Sequence, residues 1–276
     1  MNNKCIICGS EQSKRLTGRA GWEVRICSDC ANALTVPAPT TDRQYDDHSF
    51  FQIPVEGALR WRHAAGDLIK FIHDNGCRGT FLDVGCGNGF AIEAALAAGF
   101  EAQGIEASQS AVISGRDRGL QIQVGYYQDN TFPDNTFDVI LMNHVLEHSA
   151  NPRTMLMSAH KHLKPNGYLC LGQSNYLGTI PRLLGARWYA WVPKEHYVHF
   201  SVQGVTRLLQ NAHFQVKSTR LTTLFWDWEN ILASTLRHWP GIMLHNFAAF
   251  VNQTRLGFPF VGDQFNVLAQ KQEGNR

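Results

Sequence analysis

A glycine-rich turn that directly follows an apolar segment constrains the fold of this chain more than any other feature. The segment from Thr80 to Val84 reads as a buried strand, and glycines follow it at positions 85, 87 and 89. Glycine adopts positive φ at little cost and lets a ligand approach the backbone closely. A helix that begins after such a turn offers its free N–H groups to an anion. The pattern therefore predicts a strand, a ligand-binding turn and a helix, with a plain structural turn as the alternative.

The alternation of strand and helix patterns continues well beyond this turn. Periodicity predicts strands at 80–84, 101–106, 120–124, 137–142 and 167–173, with helices at 91–98, 108–117 and 151–163. A helix at 57–74 precedes this region, and a helix at 201–212 and strands at 214–222 and 265–270 follow it. Such a rhythm predicts an α/β fold with a doubly wound, Rossmann-like parallel sheet, which binds ligands at the carboxyl ends of its strands.

Composition excludes several classes of protein. Charged residues make up 17% and hydrophobic residues 44% of the 276 residues, which excludes a disordered polymer. Lys+Arg 25 against Asp+Glu 23 leaves a net charge of +2, so nucleic acid is not an expected partner. The chain shows neither a signal-peptide pattern nor a stretch of about 18 apolar residues, so we expect a cytoplasmic protein without a transmembrane segment.

An acidic residue accompanies the glycine turn. Glu106 lies 23 residues after Asp83, at the end of the next predicted strand, where its carboxylate could accept both hydroxyls of a ribose. The glycines follow a Gly-x-Gly-x-Gly spacing with Asp83 two residues ahead, which differs from the Gly-x-Gly-x-x-Gly spacing of nicotinamide-binding loops. This stretch resembles the S-adenosylmethionine loop of class I methyltransferases.

The resemblance extends along the chain in the order of that family. The segments 134–140 with 144–152 and 163–168 resemble the region of its fourth strand and the turn before its fifth strand. The resemblance implies a methyltransferase whose S-adenosylmethionine contacts are Asp83, Gly85, Cys86, Gly87, Glu106, Asn143 and His144. The adenine-contacting acid of the family has no counterpart here, so we expect Tyr126, Tyr127 or Gln128 to serve through stacking or backbone groups.

Four cysteines near the start of the chain have the spacing of a zinc site. Cys5 and Cys8 form one Cys-x-x-Cys pair, and Cys27 and Cys30 form a second pair, with 18 residues between the two pairs. A segment of about 30 residues cannot bury enough apolar surface to fold alone, whereas structural zinc would stabilise it. Four thiolates close the coordination shell, so we expect a structural ion. A redox pair and a nucleic-acid-reading ribbon are the alternatives.

A segment rich in aromatic residues and histidine follows the predicted fifth strand. Histidine accepts protons near neutral pH, so His196 is our first candidate for a general base and His199 the second, with the Glu195 carboxylate orienting the ring. The alternative is that both imidazoles complete hydrogen-bond networks under a loop. The segment resembles a Glu-His signature in a methyltransferase branch with an N-terminal zinc ribbon. That branch includes sugar C-methyltransferases, in which the pair belongs to the active site.

These features divide the chain into three parts. We expect a zinc ribbon at 1–40, a connector with cofactor-covering helices at 41–78, and a methyltransferase domain at 79–276 with an aromatic insertion at about 225–260 that could form a homodimer. The predicted function is S-adenosylmethionine-dependent methylation of a small molecule, such as a sugar nucleotide or another biosynthetic intermediate. An RNA or protein methyltransferase that uses the ribbon for recognition, and a non-catalytic cofactor-binding scaffold, are the rival functions.

Overall fold

A computed structural model of the chain describes residues 4–40, 55–222 and 262–273. Its strands form two sheets, one at the N-terminal cysteine segment and one in the body of the protein. In chain order the strands are β1 (Ser13–Arg19), β2 (Trp22–Cys27), β3 (Ala33–Val36), β4 (Thr80–Val84), β5 (Glu101–Glu106), β6 (Ile122–Val124), β7 (Phe137–Asn143), β8 (Leu163–Ser174), β9 (Val198–His199), β10 (Phe214–Thr222) and β11 (Gln264–Lys271).

The larger sheet has seven strands in the order β10-β11-β8-β7-β4-β5-β6. Its strands β4 to β8 pair in parallel, whereas β11 runs antiparallel to both β8 and β10. The chain order reverses at β4, which has β5 on one side and β7 on the other. A crevice opens at such a reversal, outside the carboxyl ends of the strands, and the glycine turn lies there.

Helices cover both faces of this sheet. They are α1 (Val55–Asp74), α2 (Phe90–Ala97), α3 (Gln109–Arg116), α4 (Pro152–His162), α5 (Thr179–Leu184) and α6 (Val202–Asn211). One core cluster contains buried residues of α1, α2 and α3, and another contains buried residues of α4 and α6. The doubly wound architecture predicted from the sequence is therefore confirmed. Among the helices in the described ranges, none has the length and apolar character needed to cross a bilayer.

The smaller sheet joins the cysteine segment to the body of the protein. Strands β1, β2 and β3 pair antiparallel in sequence order, and the two-residue strand β9 completes the sheet beside β3. A third core cluster packs Val24 and Ala33 of this sheet against Trp188 and Trp191 of the aromatic segment. The ribbon thus shares both a strand and a core with the larger domain.

Most predicted elements occur where the sequence places them, and one strand begins earlier than expected. The family resemblance implies a turn at 163–168 before a strand at 167–173, whereas β8 begins at Leu163, directly after α4. Leu163 pairs with Phe137 and Tyr168 with Val139, so the unpaired residues between them, with Asn166 at a φ of +62°, form the expected turn inside the strand. The aromatic insertion at 225–260 and the connector at 41–54 lie outside the described residues.

Candidate functional site

The glycine turn after β4 is held tightly against its neighbours. The N–H groups of Gly85 and Cys86 both donate to the Ile105 carbonyl, at 2.8 and 3.2 Å. Gly85 has a φ of +66°, and a Cβ there would lie 2.7 Å from a methyl group of Val145. A side chain at Gly85 would therefore be strained by its backbone and blocked by its neighbour, which explains the glycine physically.

Glu106 reaches from the end of β5 to the glycine turn. One carboxylate oxygen accepts the Gly87 N–H at 2.9 Å, and the other accepts the Ser108 N–H at 2.8 Å. The Ser108 hydroxyl in turn caps α3 by accepting the Ala111 N–H. Each carboxylate oxygen has two lone pairs, so the fixed Glu106 side chain retains capacity for two further donors, as a ribose diol supplies.

Asp83 lies next to this carboxylate in the interior. It is only 4% exposed, and burial together with the negative charge of Glu106 raises the pKa of its carboxyl group to about 8. Burying two neighbouring carboxylates in their ionised form costs free energy unless a cation accompanies them. An ammonium group would remove this cost, so the pair fits the amino group and the ribose of an adenosyl amino acid.

The remaining predicted cofactor residues lie around the same crevice. Cys86 is buried, and a Cβ at Gly104 would lie 2.6 Å from its sulfur, so this thiol fills space beneath the turn. Burial also raises its pKa, so it stays a neutral thiol. Asn143 ends β7, and His144 follows with a φ of +55° and its N–H bonded to the Gly172 carbonyl at 2.9 Å. Both border the crevice on its β7 side.

The two tyrosines after β6 have different surroundings. Tyr126 is 61% exposed at the carboxyl end of the strand and is free to stack on a ligand. Tyr127 is buried, with its hydroxyl 2.8 Å from the Nδ1 atom of His162 and its ring against Phe132. The geometry therefore favours Tyr126 over Tyr127 as an adenine contact.

A cluster of acid and histidines lies close to the β7 end of the crevice. Nitrogen or oxygen atoms of Glu147, His148 and His196 all lie within 4.8 Å of one another. The rings of His148 and His196 meet edge to face, with centroids 4.7 Å apart. Glu147 is 3% exposed, and one of its oxygens lies 3.0 Å from the Nδ1 atom of His144.

Charges in this cluster are set by burial and by mutual contacts. Burial alone would raise the pKa of Glu147, but the contact with His144 outweighs it and holds that pKa well below its usual range. Burial alone would lower the pKa of His144, and the Glu147 carboxylate outweighs it and raises that pKa. Burial lowers the pKa of His196 to about 4. Glu147 is therefore ionised and His196 neutral at pH 7.

The other two predicted catalytic residues are His199 and Glu195. The Nε2 atom of His199 lies 2.9 Å from the Thr35 hydroxyl of the ribbon, and its buried ring packs edge-on against Trp191. This position favours a structural part for His199. Glu195 is half-buried, and its N–H donates to the Val192 carbonyl. A carboxylate oxygen of Glu147 lies within 4.8 Å of a ring nitrogen of His196.

The four cysteines of the ribbon converge as their spacing predicts. The sulfur atoms of Cys5 and Cys30 lie 3.6 Å apart and those of Cys8 and Cys27 lie 3.5 Å apart. All four lie within 4.8 Å of one another. Zinc–sulfur bonds of about 2.3 Å in a tetrahedron place sulfurs about 3.8 Å apart, so the cluster fits a four-thiolate zinc ion.

Sequence reasoning missed some residues that shape the site. Val145 closes the space above Gly85, and Thr35 contacts the histidine segment from the ribbon. Neither carries a local sequence signal, because both contacts join segments far apart in the chain. Ser108 was recognisable as the start of a helix, but its N–H contact with Glu106 was not.

Curated relatives share the central part of the chain. A ubiquinone biosynthesis O-methyltransferase of Maricaulis maris is 31% identical over 123 residues, covering 41% of this chain and 48% of the relative. One from Caulobacter vibrioides is 30% identical over 152 residues, covering 50% and 57%. The chain thus spans about half the length of the curated relatives it matches.

Solved structures share the fold over more of the chain. The 4+2 cyclase SpnF superposes with a TM-score of 0.54 at 22% identity, covering 77% of this chain and 82% of SpnF. A SAM-dependent methyltransferase of Aquifex aeolicus superposes with a TM-score of 0.52 at 20% identity, covering 82% and 99%. The family model described as a methyltransferase domain matches residues 59–219, which include β4 to β8 and the whole crevice. The chain belongs to this methyltransferase domain family.

Proposed function

We propose that this protein transfers the methyl group of S-adenosylmethionine to a small-molecule acceptor. The observation that carries the proposal is the Glu106 carboxylate, fixed by the Gly87 and Ser108 N–H groups beside the buried Asp83. This arrangement matches the two polar ends of the cofactor, a ribose diol for Glu106 and an ammonium for Asp83. Its position at the strand-order reversal is where open α/β sheets bind ligands.

The cofactor supplies an electrophilic methyl group on a sulfonium, and the protein has to align an acceptor with it. Alignment of two reactants supplies about 7–11 kcal/mol in favourable cases. Asn143 and His144 border the crevice beside the glycine turn, so they would line the methyl position. Acceptor and methyl group would then meet between this border and the Glu147, His148 and His196 cluster.

His196 would accept the proton of the acceptor. Its Nδ1 atom lies 3.1 Å from the Ala190 carbonyl, which can only accept, so Nδ1 carries hydrogen and Nε2 keeps a lone pair. Burial lowers its pKa to about 4, so the imidazole is a weak base that is neutral at pH 7 and keeps the Nε2 lone pair. The ionised Glu147 carboxylate nearby would stabilise the imidazolium that forms. The role of Glu195 in orienting the His196 ring stays a prediction.

The acceptor is proposed as a hydroxyl-bearing or carbon-acid intermediate of biosynthesis. The names of the curated relatives support an oxygen acceptor, while the Glu195–His196 signature supports a sugar nucleotide. A cytoplasmic location is part of the proposal, because seven cysteines without a disulfide, all in the described part of the chain, are typical of a reducing compartment. A homodimer through 225–260 stays a prediction, since that segment lies outside the described residues.

Calorimetry and methyl transfer together test the proposal. Zinc-loaded protein should bind S-adenosylhomocysteine, and Glu106→Ala should weaken that binding at least about a hundredfold, since two hydrogen bonds to a charged group contribute about 3 kcal/mol or more. With radiolabelled cofactor and a panel of phenols, catechols and nucleotide-linked keto sugars, His196→Ala should lower kcat and leave cofactor affinity unchanged. His213→Ala, at an exposed histidine after α6, serves as the histidine control. Absence of cofactor binding by folded wild-type protein would refute the enzyme assignment.

A cofactor-binding protein that does not methylate is the second candidate. It is favoured by one observation, because the similar structure of SpnF is named as a cyclase. Cofactor binding without transfer to any acceptor of the panel, and without an effect of His196→Ala on product formation, would favour this candidate.

A further inference from the structure

The histidine segment 196–199 is held between the ribbon and the β7 side of the crevice. Its strand β9 pairs with β3 of the ribbon, where His199 lies opposite Ala33 and Val198 opposite Leu34. On its other side, the Tyr197 N–H donates to the Glu147 carbonyl at 2.8 Å. The residue that follows His196 is therefore attached to the acid of the candidate site.

Thr35 makes two contacts with this segment from the ribbon. Its N–H donates to the Tyr197 carbonyl at 3.2 Å, and its hydroxyl lies 2.9 Å from the Nε2 atom of His199. Thr35 is 4% exposed and His199 is 5% exposed, so water does not compete for these bonds. The ring centroids of His196 and His199 lie 5.8 Å apart, so a shift in the orientation of one ring alters the surroundings of the other.

The cysteine turn is bound to the same region. The Asn32 amide lies 3.5 Å from the Cys30 sulfur and donates to the Gly204 carbonyl of α6 at 3.3 Å. The Ala31 carbonyl accepts hydrogen bonds from the Tyr176 hydroxyl at 2.9 Å and the Ser201 hydroxyl at 3.2 Å.

The fit at this contact is close. A Cβ on Gly204 would collide with the Asn32 side chain. The zinc-site turn is thus packed directly on the body of the protein.

We propose that the ribbon is a positioning module of the active site, in which Thr35 sets the orientation of the 196–199 segment and thereby of His196. The effect of Thr35 on turnover rests on the proposed function. Its effect on the orientation of the histidine rings does not. Thr35 is a positioning residue, because it acts on His196 through Tyr197 and His199. The cofactor crevice is built from β4, β5 and β7, so the affinity for cofactor does not depend on Thr35.

The main test variant replaces the Thr35 hydroxyl with a methyl group, which keeps the shape of the side chain. Thr35→Val removes the hydroxyl, Thr35→Ser keeps it, and Thr17→Val is the control in the same ribbon on β1. Measurements are bound zinc, calorimetric affinity for S-adenosylhomocysteine, kcat and KM, and nitrogen-15 spectra of the histidine rings. The spectra report on His196 and His199 even without an identified acceptor.

We expect Thr35→Val to move the ring resonances of both His196 and His199 and to lower kcat about three- to tenfold, the effect of one lost buried hydrogen bond. Zinc content, cofactor affinity and KM should stay as in the wild type. Thr35→Ser should restore the wild-type spectra and rate, and Thr17→Val should match the wild type throughout. Wild-type His196 resonances in Thr35→Val would overturn the proposal. Failure of the proposed function would instead appear as loss of cofactor binding or transfer in the wild type.

Discussion

The buried carboxyl group of Asp83 makes a quantitative prediction about cofactor binding. Its pKa of about 8 leaves it protonated in the free protein below that pH. The ammonium of the cofactor needs the ionised form, so binding should release about one proton. Affinity should then rise about tenfold per pH unit, or about 30-fold between pH 5.5 and 7.

The perturbation that tests this reasoning is Asp83→Asn, which keeps the size of the side chain and removes its titration. Calorimetry with S-adenosylhomocysteine in phosphate and imidazole buffers, which differ in ionisation enthalpy, counts the released protons. We expect about one proton for the wild type near pH 6 and about one fewer for Asp83→Asn. The variant should bind more weakly at pH 7 and should lose the steep rise of affinity with pH.

The pH dependence of the stability of the free protein tests the Asp83 carboxyl group in a second way. The pKa of the Asp83 carboxyl group is higher in the folded protein than its ordinary value of 3.8. The protonated group therefore stabilises the fold fully below pH 3.8, and this stabilisation is lost as the pH rises toward about 8. Each pH unit in that window costs about 1.4 kcal/mol. The stability of Asp83→Asn relative to the wild type should therefore increase by about 2 kcal/mol from pH 5.5 to 7. A constant difference, or an unchanged proton count, would refute the reasoning.

Three further perturbations follow from the geometry. Gly85→Ala should destabilise the fold by at least about 1–2 kcal/mol, because it places a Cβ at positive φ against Val145, and should abolish cofactor binding in calorimetry; normal affinity would contradict it. Cys8→Ser should lower bound zinc below one per chain and lower the melting temperature, whereas an equal zinc content would argue against the four-thiolate site. Glu147→Gln should lower the pKa of His144 in an NMR titration, since the carboxylate is what raises it; an unchanged value would exclude the contact.

Local patterns were enough to predict most of the sheet. The strand Glu101–Glu106 and the strand Phe214–Thr222 occur with the predicted bounds, and Ser201 caps the predicted helix by accepting the Gly204 N–H. These elements are determined by alternation of apolar residues and by capping, which act within a few residues. The same holds for the cysteine pairs, whose spacing determines which ligands can converge.

The elements and site contacts that the sequence did not predict depend on contacts between distant segments. β9 has only two residues and forms because β3 of the ribbon pairs with it, so no periodicity could predict it. The strand before Gly125 begins at Ile122 rather than at Leu120, because the Leu120 N–H is bonded to the Gly115 carbonyl at the end of α3. The approach of Glu147 to His196 is likewise decided by tertiary packing, since these residues are 49 positions apart in the chain.

A crystal structure of the zinc-loaded protein with S-adenosylhomocysteine tests the central claim most directly. We predict the ribose hydroxyls on the Glu106 carboxylate, the amino group within reach of Asp83, and the empty methyl position facing the side where His196 lies. A ligand bound elsewhere, or a crevice at β4 that stays closed to the adenosyl group, would contradict the account.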